Sequence, residues 1–166
     1  GYLAKVMPPI RSEDDVSSVW NAISQNKIDT VGTDHVANQL KLKLGGSTVW
    51  DALAGFPGIG TLLPLLLSEG VNKNRISISQ LANLTSVNTA KIFGMYPVKG
   101  SFEPSSDADI TLIDLKKEQK VTNDLFGGFS DYLVYEDWKL KGWPVKTIIR
   151  GEVVSEDFQV IGKQGF

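Results

Sequence analysis

The sequence predicts an α/β fold in two parts, a parallel strand–helix–strand unit followed by a small unit of strands. Two short apolar runs, residues 3–7 and 28–33, flank an amphipathic stretch. Strands joined by a connection of this length are typically parallel, with a right-handed crossover. Two segments further on, 110–115 and 145–150, mix apolar and polar positions as strands do.

The first helix is predicted from its start signal and its periodicity. Ser12 is a typical N-cap, and three acidic residues follow it, where they favour the positive end of the helix dipole. Apolar side chains then recur at helical spacing, at Val16, Val19, Trp20 and Ile23. This spacing predicts one buried helical face.

The middle of the chain reads as a loop followed by short helices. Residues 36–47 are polar and contain Gly45 and Gly46, which is typical of a long loop over a strand end. Three short helices follow in the prediction, at 61–68, 79–84 and 89–93. Gly70 is expected to end the first of them and Asn88 to cap the third.

The composition of the chain changes near residues 95–99, where we place a boundary between residues 1–95 and residues 96–166. Behind it, Gly151-Glu152 predicts a tight hairpin after the strand 145–150. Residues 116–135 are expected to form a polar and aromatic connection.

Composition excludes several classes of function. With a net charge of -2, the chain gives no reason to expect a nucleic acid or an anionic membrane as partner. The longest apolar run is far too short to span a bilayer. The chain has no cysteine, which excludes disulfides within it and favours a reducing, cytoplasmic location.

Its start on Gly1, inside an apolar run, favours a chain cut within a domain over a processed natural start.

Asp34 and His35 are the first candidates for chemistry. They follow the predicted strand 28–33, and TIM-barrel enzymes present catalytic groups at the carboxyl ends of strands. A carboxylate there can bind a metal and take a proton from metal-bound water; the alternative is a loop or N-cap Asp. With one histidine and no cysteine, the chain cannot build a conventional nitrogen- or sulfur-rich metal site by itself. We therefore interpret it as the carboxyl-terminal part of a larger metal-dependent hydrolase.

Other candidates carry weaker signals. His35 is either a substrate contact or an ordinary loop histidine. Arg11, after the first strand, can bind a carboxylate, but an exposed surface arginine is equally compatible. The glycine-rich segment 55–60 can bring backbone amides close to a ligand, although glycine loops are common. Asp107 and Asp109 fit turn and hairpin carboxylates better than a catalytic pair.

Taken in order, segments along nearly the whole chain resemble the cyclic amidohydrolases: dihydropyrimidinase, hydantoinase, allantoinase and dihydroorotase. The most telling motif is Gly32-Thr33-Asp34-His35. The matching segments are residues 5–11, 32–35, 55–58, 83–94, 96–100, 106–109, 143–151 and 162–166. Their order along the chain is more specific than any one motif.

The resemblance implies a metal-dependent TIM barrel with a β-sandwich. Residues 1–95 would then hold the last two barrel strands with their helices, and residues 96–166 part of the sandwich. It also implies hydrolysis of a ring amide or imide by a hydroxide that bridges two zinc ions, with Asp34 binding one zinc and shuttling the proton. The family's other ligands would lie upstream. This chain alone is therefore expected to bind zinc poorly and to be inactive.

Two positions depart from the family pattern and leave the substrate open. Hydantoinases carry a substrate-contacting Asn where this chain has Ala54, directly before Gly55, and usually an acid where Gly60 stands. A hydantoin or a dihydropyrimidine is the favoured small-molecule substrate, with allantoin and dihydroorotate as alternatives. The resemblance also implies a homodimer or homotetramer for the full-length protein.

Two other interpretations remain at this point. The first is a metal-free scaffold homologue of dihydropyrimidinase, which would have no need of Asp34. The second is a free-standing βα domain, which would leave its sheet edges exposed.

Overall fold

The computed structural model describes residues 1–163, with a helical part followed by an antiparallel sheet. The helices are α1 (Glu13–Ser24), α2 (Leu40–Leu44), α3 (Leu62–Leu65), α4 (Ile78–Ala82) and α5 (Asn88–Ile92). The strands are β1 (Ile110–Lys120), β2 (Lys139–Ile149), β3 (Glu152–Glu156) and β4 (Gln159–Val160). Short 3-10 turns lie at Tyr2–Ala4, Ile59–Thr61 and Asn123–Phe126.

Helix α1 begins where the sequence predicts, because a capping box closes its first turn. The Ser12 hydroxyl accepts from the Asp15 N–H at 3.3 Å, and the Asp15 carboxylate accepts from the Ser12 N–H at 3.2 Å. The prediction of one buried face is wrong for its first half. Ile23 is 7% exposed, but Val16 and Val19 are 48% and 51% exposed. The core described below reaches only the carboxyl-terminal half of the helix.

The two strands predicted at residues 3–7 and 28–33 are wrong for the described part of the chain, which pairs neither segment into a sheet. A strand exists through ladder bonds to a neighbour, and here the backbone finds other partners. The Lys5 carbonyl accepts from the Gly55 N–H at 3.0 Å. The Asp29 carbonyl accepts from the Asn88 amide at 2.9 Å.

The short helices predicted after the loop join into two longer helical segments. Helix α3 continues as a π-helical stretch, Leu66–Val71, and a second one, Asn83–Val87, links α4 to α5. Gly70 therefore does not end its helix, and Asn88 is not a cap because its backbone is helical. The second helical segment is instead capped at its amino-terminal end, where Ser77 forms a capping box with Gln80 at the start of α4. Helix α2 also lies inside the stretch predicted as a loop.

Two buried clusters form the core. The first lies among the helices and contains Ile23, Leu66, Leu67, Ile76, Leu81 and Leu84. The second lies under the sheet and contains Val121, Leu133, Leu140 and Trp143. Each cluster also receives a side chain from the other part, Ile113 of β1 in the first and Leu65 of α3 in the second. The boundary at residues 95–99 stays a prediction.

The sheet has the order β1-β2-β3-β4, with every neighbouring pair antiparallel. The strands predicted at 110–115 and 145–150 are confirmed and are longer than expected. Residues 116–120, predicted as connection, extend β1 because residues 118–120 pair with the start of β2 after a shift in register. The hairpin predicted at Gly151-Glu152 is found one residue earlier: Ile149 pairs with Glu152, which begins β3. The turn residues Arg150 and Gly151 have φ of 49° and 85°, as a tight turn between twisted strands requires. The last segment of the resemblance, residues 162–166, lies partly outside the described residues.

A charged contact joins the end of the helical part to this hairpin. The Lys99 ammonium pairs with Asp107 at 2.8 Å and with Asp109. Asp109 also accepts from the Arg150 N–H at 2.8 Å. The hydrogen bond from Lys99, followed by that from the Arg150 backbone, holds the pKa of the Asp109 carboxyl below its usual range. Both acids thus act as turn and hairpin carboxylates.

We expect Asp109→Asn to lower the free energy of unfolding at neutral pH by about 1 kcal/mol, the usual size of one such hydrogen bond. Because the pKa of Asp109 is lower in the folded state, its stabilisation is present above the unfolded pKa, about 3.9. It is lost as the pH falls through the folded pKa. Thermal unfolding of both proteins across this range checks the expectation.

Asp107→Asn is the matched control, since Asp107 shares Lys99 but accepts no hydrogen bond from the Arg150 backbone. A wild-type advantage over Asp109→Asn that stays constant into the acid range would contradict the assignment.

Candidate functional site

Asp34 presents an unengaged carboxylate at the surface. Its backbone has φ of 44°, in the left-handed region that Asp tolerates better than most residues. The side chain is exposed and forms no hydrogen bond or ion pair with any residue in 1–163. Both carboxylate oxygens are therefore available to a ligand, a water molecule or a proton.

His35 is half-buried and fixes this segment to the glycine-rich loop. Its Nδ1 accepts from the Gly58 N–H at 3.0 Å and from the Ile59 N–H at 3.4 Å. An accepting Nδ1 carries no proton, so the proton of the neutral ring sits on Nε2. His35 thus anchors the loop while Nε2 keeps one donor.

Gly55 is the second point where the loop meets this segment. Its φ is 88°, and a Cβ at this position would lie 2.4 Å from Val36 Cγ2. The Val36 N–H donates to the Phe56 carbonyl at 3.2 Å. Only glycine permits this approach. The structure therefore brings Asp34 and His35 together with Gly55, and Ala54 lies exposed directly before Gly55.

Arg11 is not joined to this group. Its side chain is exposed, and no hydrogen bond or ion pair within residues 1–163 connects it to Asp34 or to the loop. Its substrate contact stays a prediction.

Lys43, which the sequence analysis did not single out, binds the backbone at the start of the glycine-rich loop. Lys43 of α2 is 0% exposed, and its ammonium donates to the carbonyls of Lys5, Leu53 and Gly55, each at 2.7 Å. Burial, and then the charge of Lys5, lowers the pKa of Lys43. Nothing in the pattern of residues 40–44 distinguishes Lys43 from Lys41, which is exposed; only the tertiary structure does.

The chain after His35 is tied to the connection between β1 and β2. The Tyr132 hydroxyl donates to the Asn38 side chain, and both residues are buried. The Asp131 carboxylate accepts from the Leu40 N–H at 2.6 Å. Burial, and then the charge of Asp131, raises the pKa of Tyr132. Elements of the sheet part thus fix the segment that follows the candidate site.

Gly60 is in direct contact with an aromatic ring from the same connection. A Cβ at Gly60 would lie 2.3 Å from Phe126 Cδ1 and 2.6 Å from its Cγ. Phe126 is itself held edge-on against Phe158, with 6.0 Å between ring centroids. The ring therefore occupies the space that a side chain at position 60 would need.

We expect Gly60→Ala to destabilise the protein by about 1–3 kcal/mol, the usual cost of overpacking a filled site. The double variant Gly60→Ala/Phe126→Leu should recover part of this loss, because the smaller side chain makes room. Chemical denaturation of the two single variants and the double variant measures the coupling. Strictly additive effects would show that the ring is not the obstacle.

The described residues do not form a metal site by themselves. No group of three or more His, Cys, Asp or Glu side chains in residues 1–163 is placed to hold a metal ion. Asp34 offers one carboxylate, which falls short of the donor set that zinc takes in proteins. A zinc site would therefore need donors from beyond this part of the chain.

Within residues 1–163, no helix combines the length and the apolar character needed to cross a membrane.

Comparison with known proteins gives consistent matches over the whole chain. The profile described as "Amidohydrolase family" matches residues 8–154. The chain is 38% identical to the L-hydantoinase of Paenarthrobacter aurescens, over 100% of this chain and 36% of the relative. It is 40% identical to the dihydroorotase of Pyrococcus furiosus, over 97% of this chain and 36% of the relative.

The same relationship is seen in three dimensions. The solved L-hydantoinase (dihydropyrimidinase) from Arthrobacter aurescens superposes with a TM-score of 0.95 at 38% identity. The match covers 100% of this chain and 37% of that structure. The chain thus spans just over a third of the length of these relatives.

Proposed function

We propose that this chain, which belongs to the amidohydrolase family, is the carboxyl-terminal part of an enzyme that hydrolyses a carbon–nitrogen bond in a cyclic amide. The relatives that match it are named hydantoinases and dihydroorotases, so the scaffold alternative is not favoured. A hydantoin or a dihydropyrimidine is the substrate class we favour. Allantoin and dihydroorotate are the alternatives.

The observation that supports this most is the placement of Asp34. Its carboxylate is exposed and forms no hydrogen bond within residues 1–163. The adjacent residue, His35, is fixed to the glycine-rich loop by a hydrogen bond from the Gly58 N–H. A reacting group needs this combination of a free functional atom and a held backbone.

The reaction requires both protons of the attacking water to be placed. Water attacks the carbonyl carbon, and the bond from that carbon to the ring nitrogen breaks. The nitrogen takes one proton, and the new carboxylic acid releases the second to solvent as it ionises to a carboxylate. Asp34 accepts the proton from the attacking water and delivers it to the departing nitrogen, which is general base and then general acid catalysis.

The loop supplies the groups for binding the ring. The Gly55 N–H and carbonyl are already engaged with Lys5 and Lys43. The Ala54 N–H and carbonyl form no hydrogen bond with any residue in 1–163. An amide ring offers one carbonyl and one N–H, which the Ala54 peptide groups complement. His35 Nε2 adds a donor, and Arg11 is a further candidate for substrate contact.

The finer architecture belongs to the same proposal. Residues 1–95 would supply the last helices of a metal-dependent TIM barrel, and segments 3–7 and 28–33 would become its last strands only by pairing with strands outside the described residues. Residues 96–166 would supply part of a β-sandwich. Two zinc ions would require ligands outside the described residues, with Asp34 as this chain's contribution. A cytoplasmic homodimer or homotetramer is the assembly we propose for the full-length protein.

In the full-length protein, Asp34→Asn should lower turnover of its cyclic amide by at least about 100-fold, the usual contribution of a positioned acid–base group. The amide cannot carry the proton, but it is nearly the same size, so the fold should persist. Hydrolysis of hydantoin, dihydrouracil, allantoin and dihydroorotate is measured together with circular dichroism.

Asp29→Asn is the control for this experiment, because Asp29 is an exposed acid of the same segment. Turnover by Asp34→Asn close to that of the wild type would refute the catalytic role.

A further inference from the structure

The side chains of Lys43 and Lys5 together bind most of the backbone carbonyls of the loop formed by residues 49–55. The Lys5 ammonium donates to the carbonyls of Val49, Trp50 and Ala52, at 2.8, 3.3 and 2.6 Å. The Lys43 ammonium donates to those of Leu53 and Gly55 and to that of Lys5 itself. Each ammonium has three donors, and each donor has one carbonyl acceptor.

Ala54 is singled out by this arrangement. The carbonyls on either side of it, those of Leu53 and Gly55, are both bound to Lys43. The Ala54 carbonyl is not bound by either lysine, nor by any other group in residues 1–163. Because a peptide group is planar, the Leu53 carbonyl held by Lys43 fixes the direction of the Ala54 N–H. The Gly55 N–H, which donates to the Lys5 carbonyl that Lys43 also binds, fixes the direction of the Ala54 carbonyl.

Closing the loop with a buried lysine is unfavourable in free energy, because the charge of Lys43 is removed from water. Lys43 is 0% exposed and forms no salt bridge within residues 1–163, and the charge that acts on it is the like charge of Lys5. Burying a cation without a counter-ion is unfavourable, and only the carbonyl dipoles offset it here. An apolar side chain would fill the same space without that penalty, but it would not orient the carbonyls.

We propose that Lys43 is a positioning residue, whose ammonium orients the Ala54 N–H and carbonyl toward the substrate through the carbonyls that it binds, those of Leu53, Gly55 and Lys5. This inference rests on the proposed function, because it assigns to that loop the binding of the amide ring. Lys43 acts through the loop backbone and does not touch the substrate.

The test is steady-state kinetics of Lys43→Met in the full-length protein. Methionine fills the volume but cannot donate, so the Ala54 peptide loses its orientation and KM should rise by at least about tenfold, with kcat within about threefold. Lys41→Met is the matched control, since Lys41 is an exposed lysine of the same helix and should leave both constants unchanged. A merely structural lysine would lower the amount of folded enzyme and leave KM alone.

Lys43→Arg is the second variant, in case Lys43→Met does not fold. Arginine keeps the charge, but its planar fork cannot direct three N–H groups at three convergent carbonyls. We expect a raised KM here as well. A KM within about twofold of the wild type in either folded variant would overturn the inference.

A measurement on the wild type tests the clamp without any variant. Reductive methylation of the native protein, followed by peptide mass spectrometry, should modify Lys41 while Lys43 resists. Equal reactivity of the two lysines would overturn the inference. If the wild type hydrolyses none of the cyclic amides, the proposed function fails and the inference falls with it. If it is active but Lys43→Met keeps its KM, only the inference fails.

Discussion

The candidate site depends on how the backbone carbonyls of the loop 49–55 find hydrogen-bond donors. This segment belongs to no helix or strand, so its carbonyls have no ladder or helical partners. Two lysine ammonium groups take that role and leave the Ala54 peptide unengaged between clamped neighbours. The close contact of Gly55 with Val36 then sets the distance between the loop and Asp34.

The sheet part contributes to the site without supplying a reacting group. Tyr132 and Asp131 hold the chain that follows His35, and Phe126 packs on the glycine-rich loop at Gly60. These residues come from the connection between β1 and β2. The site is therefore supported from both parts of the chain, although its candidate residues all lie in the first 60 positions.

Some local signals in the sequence predicted local structure, whereas the helix end expected at Gly70 and the cap expected at Asn88 are not found. The capping box at Ser12 and the turn at Gly151 depend on residues a few positions apart, and both are found in the structure. The strands at 3–7 and 28–33 failed because a strand requires a distant partner, which the described residues do not provide. The continuity of α4 and α5 through a π-helical stretch was also invisible to local reasoning.

The same distinction holds for the candidate site. Asp34, His35 and the glycine loop could be selected from residue type and order, and the structure places them together. Lys43 could not be selected, because Lys41 stands two positions away in an equivalent pattern. Its burial results from carbonyls contributed by segments far apart in the chain.

The contact between Gly60 and Phe126 couples the two parts of the chain sterically. Any side chain at position 60 collides with a ring from a connection more than sixty positions away. A side chain at position 60 therefore fits only if the Phe126 ring shifts or position 126 carries a smaller residue. Redesign of the loop beside the candidate site would thus have to include the sheet part.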